Sequence, residues 1–174
     1  MAAYRTSLPS PLGTLTLASD GEAITGLWME GQAYFPDLGG WEDRPEVPVF
    51  SQAELWLSAY FRREPTPPVP LLSPHGTPFQ LSVWQLLTEI PLGQTVSYGD
   101  LARRLRDQGH HASPRAVGSA VGRNPISLLI PCHRVLGADG SLTGYAGGLE
   151  RKTWLLELEG VHLPFRPTPI EKPR

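Results

Sequence analysis

The chain of 174 residues contains a single cysteine, two methionines and only 18% charged residues. One thiol, Cys132, can form no internal disulfide and cannot supply the clustered thiolates of a structural zinc site, so neither kind of staple holds this fold. No window approaches the roughly 20 consecutive apolar residues that a membrane-spanning helix requires. The opening MAAYRTSLPSPLG also lacks the apolar core of a secretory signal. A cytosolic protein with no membrane partner is therefore expected. Internal repeats are absent, as are low-complexity tracts beyond a few proline-rich pieces. With 40% hydrophobic residues, the composition suits a globular protein of one domain or two small ones.

The net charge of -2 argues against a nucleic-acid partner until it is resolved along the chain. Residues 1 to 70 hold four arginines against nine carboxylates, a local net of -5, whereas residues 97 to 134 hold six arginines against two aspartates, a local net of +4. Phosphate attraction follows local potential, so a basic stripe on an acidic protein is a credible electrostatic footprint. A solvated helix face is the alternative.

The amino-terminal half reads as α+β. Thr14 to Leu17 alternates, Ser19-Asp20-Gly21-Glu22 is a turn signal and Ala23 to Met29 resumes strand character, which predicts an antiparallel hairpin. Ser51 and Glu54 form a capping-box pattern ahead of Leu55, Trp56, Leu57, Tyr60 and Phe61, predicting an amphipathic helix over 52–63. Pro65, Pro67, Pro68, Pro70 and Pro74 then bias the chain toward extended, semi-rigid geometry and mark a boundary. The expected organisation is an amino-terminal domain over 1–70, a linker over 71–77, a carboxy-terminal domain over 78–163 and an irregular tail over 164–174.

Beyond the boundary, Thr77 as N-cap and Pro78 at the first helical position open a helix through Leu81, Val83, Trp84, Leu86 and Leu87 that closes before Pro91. Ser97 with Asp100 starts a second helix, Tyr98 to about Arg106. Ser113 and Pro114 start a third that stops at Asn124-Pro125. These two short helices in tandem suggest a helix-turn-helix. A last helix, Leu149 to Glu159, ends at Gly160, where a left-handed cap favours glycine.

The lone thiol follows the apolar run Leu128, Leu129, Ile130 and Pro131 and precedes His133 and Arg134. At its reference pKa a thiol is only about 7% ionised near neutral pH, and neighbouring imidazole and guanidinium groups favour the thiolate. The competing reading is a small buried hydrophobe, since free cysteine is among the most buried residue types.

The set Arg115-Ala116-Val117-Gly118, Asn124-Pro125, Ile130-Pro131-Cys132-His133-Arg134-Val135 and Tyr145-Ala146-Gly147-Gly148 resembles the O6-alkylguanine-DNA alkyltransferases. The likeness runs from about Thr77 to Gly160 and includes Lys152, Trp154 and Glu159. It implies an α+β fold in which a small antiparallel-sheet domain, ribonuclease H-like, precedes a mostly helical domain with a helix-turn-helix. It implies DNA repair without a cofactor. The alkyl group on guanine O6 in double-stranded DNA passes irreversibly to Cys132, one lesion per molecule, and the protein acts as a monomer.

The resemblance also distributes roles. His133, linked to Glu159, helps ionise Cys132 through water; read alone, Glu159 is an ordinary helix-end charge. Tyr98 donates a hydrogen bond to the guanine ring, where packing at the first turn of a helix is the plainer reading. Asn124 holds the hinge after the recognition helix. Val121, Val135, Tyr145, Ala146 and Gly147 line the base pocket. Arg115 replaces the flipped nucleotide in the base stack. Around it, Ser113, Pro114, Ala116, Gly118, Ser119 and Arg123 face DNA, although small side chains equally suit a tight packing face.

Two departures from the family pattern are a longer segment over 104–113, with His110 and His111, and Pro114 at the helix start. No metal is expected, because those histidines lack further ligands at metal spacing and no amino-terminal cysteine is present. Other classes that this sequence allows are a module that senses alkylated DNA without repairing it, disfavoured by the presence of Cys132, and a thiol hydrolase that turns over.

Overall fold

A computed structural model describes residues 3–163; the expected tail lies outside the described residues. The amino-terminal part is a four-stranded sheet built from β1 (Tyr4–Leu8), β2 (Leu15–Ser19), β3 (Ile24–Met29) and β4 (Glu42–Asp43), in the order β3-β2-β1-β4. The expected hairpin is β2–β3, paired antiparallel from Leu15↔Met29 to Ser19↔Ile24. Its turn is closed by Asp20, whose carboxylate accepts from the backbone of Glu22 and Ala23. β1 pairs antiparallel with β2, and the two-residue β4 adds parallel to β1. Neither is foreshadowed in the sequence, because Tyr4–Leu8 shows little apolar alternation and two residues carry no period.

Every residue of β3 is buried, and its outer edge is occupied. The proline-rich segment runs extended beside it, with Ile24 N–H donating to Leu71 O and Ser73 N–H to Ile24 O. Farther along the same strand, Leu27 N–H donates to Pro125 O and Ser127 N–H to Leu27 O. Strand groups that would otherwise template aggregation are satisfied by two segments from later in the chain.

Helix α1 (Pro48–Phe61) begins ahead of the expected start. The Ser51/Glu54 capping box does not form; Val47 is the N-cap with no side-chain bond, and Pro48 occupies the first turn. The apolar stripe explains the shift, because Val49, Phe50, Ala53, Trp56, Leu57 and Tyr60 are all buried and the helix must extend back to include the first two. Leu55, counted with that face, is instead exposed.

The later elements are α2 (Pro78–Thr88), β5 (Val96–Ser97), α3 (Tyr98–Asp107), α4 (Pro114–Gly122), a 3-10 turn at Cys132–Arg134, β6 (Val135–Leu136) and α5 (Leu149–Leu158). Their starts obey local chemistry. Thr77 with Gln80 and Ser97 with Asp100 form complete capping boxes, and Ser113 accepts from Ala116 N–H. Trp84 Nε1 donates to Ala120 O at 2.8 Å, fastening α2 to α4. Most buried apolar residues between Leu12 and Leu155 form one contiguous cluster, and Ala18, Trp28 and Leu38 form a smaller second one. Among the described residues no helix is long and apolar enough to cross a membrane.

Candidate active site

Asn124 organises the chain after α4. Its side-chain nitrogen donates to Ile130 O at 2.8 Å and its oxygen accepts from Ile126 N–H at 3.0 Å, closing a buried turn in which Leu128 holds φ = +70°. A leucine in that region is strained and persists because the surrounding bonds determine it. The turn delivers Cys132 into the 3-10 turn with only 4% of its surface exposed. The parallel pairing Val96↔Val135 and Ser97↔Leu136 then brings Tyr98 beside it.

Burial pushes the Cys132 thiol up, with Asn124 and the charge of Lys152 pulling in the opposite direction. The guanidinium expected to favour the thiolate is engaged elsewhere. Arg134 donates from Nε to Glu159 Oε1 at 2.7 Å and from Nη1 to Ile90 O at 2.6 Å. His133 Nε2 lies 2.5 Å from Glu159 Oε2, while its buried Nδ1 has no partner among the described residues. Arg134, close by in sequence, is therefore not the cation acting on the sulfur; Lys152 is. Lys152, fully buried, donates to Val135 O and Thr143 O, and burial lowers it to about 8.

Glu159 stands at the end of α5, where a negative charge opposes the helix dipole. Its side chain is 1% exposed and receives His133, Arg134 and the Tyr60 hydroxyl, the last at 2.5 Å. Burial alone would raise this carboxyl; the hydrogen bonds from His133, Arg134 and Tyr60 outweigh it and hold the group at about 2. Arg63 donates to Leu158 O and serves the exposed helix end. Burial lowers His133, so the ring is neutral, with Nε2–H donating to the carboxylate and Nδ1 left as the acceptor.

A cavity of about 470 Å³ opens between Tyr98, Pro114, Gly118, Gly122, the segment Thr143 to Ala146 and two residues from the amino-terminal part, Ala33 and Tyr34. Of the expected pocket residues, Tyr98, Tyr145 and Ala146 line it. Val121 and Val135 instead lie in the core, and Gly147 is absent from the lining. Cys132 is not in the lining either, but Tyr98 and Tyr145 lie within electrostatic reach of its sulfur. Burial raises both phenols, leaving each a donor at neutral pH, and the Tyr145 hydroxyl is buried without a partner among the described residues. Ser127 is buried and is not among the lining residues.

Ala33 and Tyr34 carry no signal in the sequence. Ala33 N–H donates to Ala146 O at 2.9 Å, and the Arg123 guanidinium lies 4.1 Å from the Tyr34 ring centroid. Arg115 and Ser119 are exposed on α4, opposite the buried Val117, Ala120 and Val121. Ser113 and Ala116 border a second hollow of about 400 Å³ with Arg106, His110 and His111.

Gly147 is required by close approach. A Cβ there would sit 2.7 Å from the Tyr145 ring and 2.8 Å from Met29 Sδ. Gly147→Ala is expected to lower unfolding free energy by roughly 1–3 kcal/mol through overpacking. Urea midpoints of the two proteins check this.

Two stretches of the chain match two family models: residues 3–71 the ribonuclease-like domain, and residues 78–161 the DNA binding domain, of 6-O-methylguanine DNA methyltransferase. The chain belongs to the 6-O-methylguanine DNA methyltransferase family. It is 45% identical to the methylated-DNA--protein-cysteine methyltransferase of Haemophilus influenzae, over 99% of this chain and 95% of that one. It is 48% identical to the Mycobacterium leprae protein of the same name, over 88% and 90%. Among solved structures, a Mycobacterium tuberculosis OGT in complex with DNA superimposes with a TM-score of 0.80 at 44% identity, covering 91% of this chain and 92% of that one. Membership accords with the α+β architecture described above, a small amino-terminal sheet followed by a mostly helical part in which α3 and α4 stand in tandem.

Proposed function

We propose that this chain repairs double-stranded DNA carrying O6-alkylguanine by a single irreversible transfer of the alkyl group to Cys132, acting as a monomer in the cytoplasm. Its relatives' names describe methyl transfer from DNA to a protein cysteine, and one relative is solved with DNA. A compartment that keeps a lone thiol reduced suits this chemistry.

The observation that supports the reading is the buried His133–Glu159 pair next to Cys132 in the chain, in which His133 Nδ1 is buried and without a partner among the described residues. A buried thiol whose pKa is raised is inert until a base takes its proton. Glu159 fixes the tautomer, so Nδ1 is that base, and a water between Sγ and Nδ1 would carry the proton. The thiolate then attacks the alkyl carbon. The S–C bond forms as the C–O6 bond breaks, and the electron pair passes into the guanine ring, where the Tyr98 hydroxyl donates a hydrogen bond. Asn124 holds the turn that sets the approach. Tyr145, Ala146 and Gly147, with Val121 and Val135 beneath, shape the site that receives the base. Because the thioether is stable, product should stop at one equivalent per protein, measured with excess O6-methylguanine duplex. Continued turnover would reject the reading in favour of a hydrolase.

An O6 atom inside a duplex is out of reach of a thiol buried in protein, so the base must be flipped out. Arg115, exposed near the start of α4, is suited to occupy the gap. Ser113, Pro114, Ala116, Gly118, Ser119 and Arg123 supply the surrounding DNA-facing surface. Arg115→Ala is expected to slow repair of duplex by roughly ten- to a hundredfold, because flipping costs a few kcal/mol, and to leave reaction with free O6-alkylguanine base unchanged. Equal losses on both substrates would refute the assignment.

A further inference from the structure

We infer that Tyr60, carried by α1 in the ribonuclease-like part of the chain, is a positioning residue for the transfer: its hydroxyl clamps the carboxylate that holds His133. The inference rests on Cys132 being the acceptor served by His133 and Glu159.

Tyr60 and Glu159 are 99 residues apart, yet the hydroxyl donates to Oε2 at 2.5 Å, the same oxygen that faces His133 Nε2 at 2.5 Å. The ring is fixed by stacking on Trp56, with centroids 5.1 Å apart and planes 11° apart, and by an edge contact with Phe61. A phenylalanine would fill this part of the core equally well. Burying a hydroxyl is unfavourable unless it is hydrogen-bonded, so the oxygen has no packing rationale and its partner is the one carboxylate in the proton relay. Burial and that carboxylate push the phenol up, which makes it a donor and never a competing base.

The charged and titratable groups facing this point are Tyr60 from α1, His133 and Arg134 from the 3-10 turn, Tyr145 from the loop ahead of α5 and Lys152 from α5. Arg134 occupies Oε1; Tyr60 and His133 share Oε2. Each donor withdraws charge density from the carboxylate. Without the phenol, Oε2 becomes more basic, the imidazolium of His133 is better stabilised, and the ring holds a proton to higher pH, where it cannot act as base. A stronger donor at position 60 has the opposite effect.

The test compares single-turnover methyl transfer from O6-methylguanine duplex across pH for wild type, Tyr60→Phe, Tyr60 replaced site-specifically by 3-fluorotyrosine, and Glu159→Gln. The imidazole of His133 is followed by NMR in each, at temperatures where thermal unfolding shows the protein native. For Tyr60→Phe the ratio of rates at about pH 8 to about pH 6 should rise by roughly threefold or more, in keeping with the strength of a charge-assisted hydrogen bond. The fluorinated phenol, a better donor of nearly the same shape, should move the ratio and the His133 titration in the opposite direction, an inversion that loss of packing does not produce. If Tyr60→Phe does not fold, the fluorotyrosine protein alone decides. Unmoved profiles in the Tyr60 proteins with a moved profile in Glu159→Gln would overturn the role of Tyr60 only. An unmoved profile in Glu159→Gln would instead overturn the relay.

Discussion

Cys132→Ala is expected to bind O6-methylguanine duplex as tightly as the wild type and to repair none of it. The wild-type protein, mixed with the same DNA, should gain about 14 Da, the mass of one methylene, and peptide mapping should confine the gain to the segment containing Cys132. The effect is all or none because the sequence contains one sulfur that can become a thiolate. Equal affinity is expected because the cavity walls, Tyr98, Pro114, Gly118 and Tyr145, are untouched. Binding therefore separates nothing, whereas transfer separates a repair protein from a damage sensor. Repaired DNA beside an unmodified thiol would sink the mechanism.

The second large effect is on stability. Glu159→Ala removes the carboxylate bonded to Arg134, whose side chain is 8% exposed, and leaves that charge buried against Ile90 O. Breaking a buried ion pair from one side typically costs about 3–5 kcal/mol, so the urea midpoint at neutral pH should fall steeply. The difference should shrink in acid. In the folded protein the Glu159 carboxyl is held at about 2 against an ordinary 4.5. A depressed carboxyl stabilises the fold above its unfolded value and ceases to do so as pH falls through its folded value. That contribution, about 3 kcal/mol, is complete above pH 4.5 and lost by about pH 2. His133 adds in the same direction at higher pH, since burial lowers it and the unfolded chain binds a proton that the folded chain refuses. Wild-type stability should thus decline toward acid while Glu159→Ala declines less; parallel curves would reject the buried carboxylate as the source.

Several boundaries were legible because the chemistry that sets them is local. Thr77 with Gln80, Ser97 with Asp100, and Ser113 with Ala116 each close within three residues, and Gly160 takes φ = +81° one residue past Glu159. The start of α1 was not legible: Ser51 and Glu54 imitate a capping box, but burial of Val49 and Phe50 outweighs it. Within the site, the motif around Cys132 located the thiol and the resemblance supplied the His133–Glu159 link, but that Arg134 turns to the same carboxylate, 25 residues away, was not legible.

The amino-acid order alone determined where most helices begin and end, that one thiol is available, and that a basic stripe precedes it, since caps, turns and charge runs depend on residues a few positions apart. Tertiary structure decided that Lys152 and Asn124 moderate the sulfur, that Ala33 and Tyr34 wall the cavity, and that Tyr60 meets Glu159. Those meetings join residues 99 positions apart at Tyr60 and Glu159, and farther still where Ala33 meets Ala146 at the cavity wall. Burial and packing bring them together, and spacing along a chain carries no record of them.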